Sequence, residues 1–274
     1  MSKHVQVTNP FHTIDVHQHT LLKSTNREMW PQEIDADCAT RCAVMDEGGI
    51  DQAILFPGNS LLGGATATDR DNNEYLAAYR ARHRERFPWA FASVDPTTGD
   101  SALRELEYAW HTLKLDGFVW HHRTFGVSLN HACMEPLWQL ARDLKAPVAV
   151  HILGESRLES PWRLQDVAER YPEIQFIAVD GFSNADHSQW MPLIARHHPN
   201  ILFDTGAMFS AGSMLEAFVK KLKFEPRLVF GSDYYPGHVC PHPCGLIEIL
   251  DMEVSDEVKA AALGGTIAKV LAPR

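Results

Sequence analysis

Eight times along this chain a short apolar run is followed by a longer segment whose apolar residues recur at helical spacing, and this alternation restricts the fold more than any other feature. The runs cover 13–19, 50–56, 89–94, 117–120, 147–151, 174–180, 201–205 and 227–233. The first helical pattern begins at Pro31, places Ile34, Cys38, Cys42 and Met45 on one face, and stops at Gly48-Gly49. The later patterns cover 74–86, with Asp71-Asn72-Asn73 as its expected cap, then 101–113, 134–144, 162–171, 190–197, 213–221 and 254–263. Runs such as Pro147-Val148-Ala149-Val150 are apolar at successive positions, as parallel strands buried on both faces are. No linker or low-complexity tract divides the 274 residues, which suffice for one large core. The expectation is a single (β/α)8 barrel spanning 1–274. A doubly wound open sheet fits less well, since it needs fewer units and usually shows a glycine-rich phosphate loop that is missing here.

In such a barrel the chemistry lies at the C-terminal ends of the strands. The first run ends in His17-Gln18-His19, the fourth leads into His121-His122, and the fifth ends in His151. The sixth, seventh and eighth end in Asp180, Asp204 and Asp233. Two histidines two residues apart on a strand point to the same side. His17, His19, His151 and Asp233 offer three imidazole nitrogens and one carboxylate oxygen, a set suited to one divalent ion, zinc first and manganese second. A water on such an ion becomes nucleophilic near neutral pH, with Asp233 placed to move its proton.

Composition narrows the partners. With 35 acidic against 25 basic residues the net charge is −10, which argues against a nucleic acid or an anionic membrane and leaves a small-molecule substrate. No apolar run approaches the roughly 18 residues of a membrane span and the N-terminus has no signal-peptide core, so a cytoplasmic location is expected. Five cysteines in a chain this long do not form a disulfide framework. Cys38, Cys42, Cys240 and Cys244 would be a second metal site only at an uncommon spacing, and an apolar helix face already explains the first two. Trp30, Trp120, Phe125, Tyr234 and Tyr235 fall in expected mouth loops and suit a flat substrate, ordinary loop packing being the equal alternative. His122 and His238 are further pocket candidates, and Arg123 has the geometry to grip a carboxylate.

His17-Gln18-His19 after the first strand, His151 closing Pro-Val-Ala-Val-His, and Gly231-Ser232-Asp233 closing the last strand resemble the amidohydrolase superfamily. The resemblance runs from about residue 13 to the end. It is closer to the branch that holds aminocarboxymuconate-semialdehyde decarboxylase, related aromatic-acid decarboxylases and small lactonases. It implies metal ligation by His17, His19, His151 and Asp233. Two departures matter. The fourth strand ends in Val119-Trp120 without the lysine of binuclear members, which implies one metal. The sixth ends in Val179-Asp180-Gly181 where the family carries a histidine, leaving Asp180, His187, His121 or His122 to supply its acid–base function. The first expected activity is hydrolysis of an ester, lactone or amide by metal-activated water. Second comes non-oxidative decarboxylation, in which an acid protonates carbon as CO2 leaves. A barrel that binds a ligand without catalysis is the third. Members of this family often dimerise, although the sequence shows no interface signature.

Overall fold

The computed structural model describes residues 7–58, 68–154, 156–208, 214–236 and 244–272. The apolar runs pair in chain order as one eight-stranded parallel sheet: β1 (Ile14–His19), β2 (Gln52–Phe56), β3 (Trp89–Ala92), β4 (Gly117–Trp120), β5 (Val148–His151), β6 (Phe176–Val179), β7 (Ile201–Asp204) and β8 (Leu228–Val229). The ends of the sheet meet. Val16 N–H donates to Phe230 O at 2.9 Å, His19 N–H donates to Tyr234 O at 2.7 Å, and Gln18 bridges Tyr234 in parallel. Closure removes both sheet edges and gives the expected (β/α)8 barrel.

Around the strands lie α1 (Trp30–Gly48), α2 (Asp69–Arg82), α3 (Asp100–His111), α4 (Glu135–Leu144), α5 (Pro161–Arg170), α6 (Met191–His197), α7 (Met214–Lys221) and α8 (Cys244–Asp251). Strand residues alternate between two apolar layers. Ile54, Phe56, Phe91, Val119, Ile177 and Val229 fill the barrel interior. Leu55, Phe118, Trp120, Val150 and Phe203 face the helices. Each fully buried Phe or Val contributes about 1.5–3 kcal/mol over an exposed one, so both layers hold the rim that carries the polar groups. Among the described residues no helix is long and apolar enough to cross a membrane.

Three local differences from the sequence expectation have physical causes. α2 begins five residues early because Thr68 and Asp71 form a reciprocal capping box. Asn73, expected in the cap, is buried instead, where its amide accepts from Ser93 N–H and donates to Ser93 O. The last helix is broken into Asp256–Ala260, a π turn at Ala261–Gly265, and Thr266–Val270. In that widened turn the Ala262 carbonyl accepts from Phe230 N–H at 3.0 Å, tying the C-terminal segment to the end of β8. Helix α8 lies between the eighth run and residue 254, where the sequence reading places no element.

Candidate active site

β1 aims the first two histidines by breaking its own alternation. Ile14 and Asp15 pair with Gln52 and Ala53, but Gln18 and His19 pair with Leu55 and Phe56, so β1 spends one residue more than β2 between these points. This is a bulge. Ile14 and Val16 belong to the interior layer, and after the extra residue His17 and His19 lie inside as well, each within 6 Å of the Phe56 ring. Asp15 and Gln18 are left on the outer side, where Gln18 Nε2 donates to Asp15 Oδ2 at 2.7 Å.

His17, His19 and His151 are all buried, and one nitrogen of each lies within 4.8 Å of the others. His17 Nε2 and His19 Nε2 are 2.8 Å apart. The far nitrogen of each ring is engaged: His17 Nδ1 with Asp204 Oδ2 at 3.1 Å, His19 Nδ1 with Pro57 O at 3.4 Å, and His151 Nδ1 with Trp120 O at 3.1 Å. Asp233 Oδ1 closes the group, 3.3 Å from His17 Nε2 and 3.6 Å from His19 Nε2. Burial, reinforced by neighbouring imidazoles, drives His19 and His151 well below the ordinary histidine range, so both are neutral donors.

The opposite side of the cluster is acidic. Burial works against a charge on His17, but Asp233, Asp204 and Asp180 outweigh it and lift the imidazole to about 10. Asp204 is fully buried and accepts from the backbone of Asp180 and Gly206 as well as facing His17. Asp180 directly follows β6 with φ +65°, and Asp233 follows β8 with φ +57°. Non-glycine residues adopt this left-handed region seldom, aspartate more readily than most, and such conformations collect at functional sites. Asp180 is raised well above the usual carboxylate range, first by burial and then by repulsion from Asp233, with His17 opposing. Its Oδ1 lies 3.7 Å from His17 Nδ1 and makes no hydrogen bond among the described residues.

The remaining candidates are dispersed. His121 packs against His151 with the rings tilted and their centroids 4.2 Å apart, its Nδ1 near Thr124 Oγ1 at 3.1 Å and Glu159 Oε1 at 3.4 Å. Burial pushes His121 down to about 2 and His122 to about 3. His122 sits beside Trp138, and the Trp120 side chain packs on Trp138 in the outer layer, so Trp120 meets the site through its carbonyl. The Arg123 guanidinium lies on buried Glu159 at 2.9 Å rather than standing open for a substrate carboxylate. The Tyr234 ring lies under Arg41 at 4.7 Å, and Trp30 is buried against Tyr75. His187 rests against the loop after β5, where a side chain added at Gly154 would come within 3.2 Å of its Nδ1. His238 and Cys240 lie outside the described residues. The thiols of Cys38 and Cys42 are 3.5 Å apart, and Cys38 is held protonated by burial.

Several supporting groups escaped the sequence reading. Asp15 accepts from His17 N, Gln18 Nε2, and both Ser232 N and Ser232 Oγ, so it pins β1 to the residue before Asp233. Arg41 is fully buried and donates to Gln18 Oε1, the His19 carbonyl and Asp37. Its one signal in the sequence is a charge three residues after Cys38 and four before Met45, on the buried face of α1. Glu159 gave none.

The donor set fits a divalent cation. His151 Nε2 is buried without a hydrogen-bond partner among the described residues, and each imidazole is oriented through its other nitrogen, as metal-ligating histidines are. Three nearby carboxylates supply the charge a cation would balance.

A family model described as amidohydrolase matches residues 14–272, and the chain belongs to that family of enzymes. The decarboxylase macB of Penicillium terrestre is 24% identical over 198 residues, which cover 62% of this chain and 56% of that protein, so the chain spans about half the length of the curated relative it matches. The fold is shared with 5-carboxyvanillate decarboxylase LigW from Sphingomonas paucimobilis, with a TM-score of 0.71 at 16% identity over 95% of this chain and 99% of that one. It is also shared with a dihydroxybenzoic acid decarboxylase from Polaromonas that holds manganese, with a TM-score of 0.67 at 16% identity over 95% and 97%. These relatives are named as decarboxylases. Hydrolysis, the first activity expected from the sequence, is therefore withdrawn in favour of decarboxylation, the second.

Proposed function

We propose that this protein is a metal-dependent, non-oxidative decarboxylase of an aromatic carboxylic acid. The observation that supports it best is Asp180, a buried carboxyl at the end of β6 with one uncommitted oxygen beside the ligand cluster. Decarboxylation needs one proton delivered to carbon. A carboxyl crowded by two other carboxylates keeps a proton to give, whereas hydrolysis first requires a base. The names of the relatives point the same way.

His17, His19, His151 and Asp233 would hold the cation, and three imidazoles with one carboxylate favour zinc, manganese being the alternative. When bound, the ion supplies Lewis acidity and a fixed positive charge against the substrate's carboxylate. Asp204 keeps the His17 ring in place. Asp180 keeps its proton through burial and the charge of Asp233, and Asp233, 16% exposed, lies nearer solvent. Asp180 protonates the ring carbon that bears the carboxylate. The carbon–carbon bond then breaks, its electrons return to the ring, CO2 departs, and solvent returns a proton to Asp180. Neutral His121 lines the opposite side and offers its buried Nε2 to the substrate.

The test is incubation of zinc- or manganese-loaded protein with hydroxylated benzoic acids in D2O. The expected result is CO2 together with one deuterium at the vacated ring position. Turnover of esters or lactones without CO2 would overturn the proposal. Elemental analysis should find about one ion per chain, lost in His151→Ala.

A further inference from the structure

The loops that leave β5 and β6 meet around a cleft of about 470 Å³, lined among others by Gly154, Arg157, Trp162, Arg163 and His187. Gly154 stands three residues after His151, and His187 seven after Asp180, so the cleft belongs to the C-terminal rim of the barrel. Its volume is that of a small-molecule site.

The two arginines of the cleft differ. Arg163 is fixed, its Nε donating to Arg157 O at 3.0 Å and its Nη1 to Asn130 Oδ1 at 2.8 Å. The Arg157 guanidinium is exposed and makes no hydrogen bond or ion pair with any described residue. A planar fork of donors left open among the described residues of a strongly acidic chain suits a carboxylate, which it can take up through two parallel bonds.

Beside it stand two exposed indoles. Trp162 at the start of α5 is 45% exposed and Trp190, just before α6, is 49% exposed, with ring centroids 5.5 Å apart in an edge-to-face pair. Such large rings leave water when a flat apolar surface stacks on them. Within the same cleft His187 Nδ1 is buried without a partner among the described residues. The absent side chain at Gly154 is what lets the β6 loop approach, because a Cβ there would lie 2.4 Å from Asn184 Cβ.

We propose that this cleft is a rim subsite for an aryl carboxylate, with Arg157 holding the carboxylate and Trp162, braced by Trp190, stacking on the ring. The subsite rests on the decarboxylase reading for the identity of its ligand, and it holds the acid ahead of the metal-ligand cluster. It makes no bond and breaks none.

The experiment titrates metal-loaded protein with benzoate, and with benzamide as the uncharged control, following indole fluorescence in the wild type, Trp162→Phe, Arg157→Gln and Gly154→Ala. Benzoate should quench a component missing from Trp162→Phe. Arg157→Gln should weaken benzoate about tenfold, the scale of a lost charge-assisted pair, and leave benzamide unchanged. Gly154→Ala should weaken both ligands. Benzoate affinity equal to wild type in Arg157→Gln would overturn the subsite. Rim binding without CO2 from any aromatic acid would leave the subsite standing and sink the decarboxylase reading.

Discussion

The two walls of the barrel mouth use the same side chain in opposite ways. On the β4–β5 wall, His121, His122 and His151 face aromatic rings and one another, and burial holds them neutral far below the ordinary histidine range. On the other wall His17 is equally buried, yet Asp233, Asp204 and Asp180 carry it to about 10. Burial alone would neutralise all four. The facing groups decide which imidazole stores positive charge and which offers a lone pair. A cation seated between the walls would take over the charge that His17 otherwise keeps as a proton, so its binding should release that proton.

The largest predicted effect comes from removing a ligand on either wall. His151→Ala and Asp233→Ala should each lower metal affinity by more than roughly a hundredfold, beyond the usual cost of an outer partner, as measured by elemental analysis and calorimetry. Retention of one tightly held ion in both variants would break the picture of a cation between the walls. Asp204→Asn keeps the shape of the acidic wall while removing its charge on His17. Metal affinity should fall roughly 10–100-fold, and a loss confined to Asp233→Ala would make Asp204 a mere cap for the Asp180 backbone.

Titration sharpens the contrast further. Because His17 must shed a proton held at about 10, metal affinity should rise about tenfold per pH unit from 6 to 9. A flat profile would show that the acidic wall does not charge His17. The smallest effect concerns stability on the neutral wall. His122 titrates at about 3 in the fold and about 6.5 when unfolded, so the native state refuses a proton that the unfolded chain accepts. Its contribution is complete above pH 6.5 and is lost on acidification towards 3, by up to about 1.4 kcal/mol per pH unit. Urea midpoints at pH 7 and 5 should differ less in His122→Phe than in the wild type.

Much of this arrangement was legible because topology converts strand ends into neighbours. Once the eight runs were placed as parallel strands, His17, His19, His151, Asp180, Asp204 and Asp233 had to gather at one end. Direction and partnership were not legible. Trp120 ends a strand as His151 does, but its side chain falls in the outer layer, and apolar runs buried on both faces give no parity to read. Asp15 and Ser232 lie 217 positions apart and meet only because the barrel closes. Glu159 occupies a loop with no periodicity, and its role depends on the fold of the turn that begins at His122.

The extra residue in β1 behaves like a frameshift in a two-letter code. Before it the even-numbered residues, Ile14 and Val16, are read inward; after it the odd-numbered ones are. One strand can therefore serve as core at its base and as chemistry at its tip, and each message can be rewritten without disturbing the other. A deletion of either Val16 or His17 would restore the frame, presenting one fewer inward residue to the mouth while the base of the barrel still closed around Ile14. Insertions and deletions, usually tolerated in loops and ruinous in strands, would here change the reading of the site before they changed the fold.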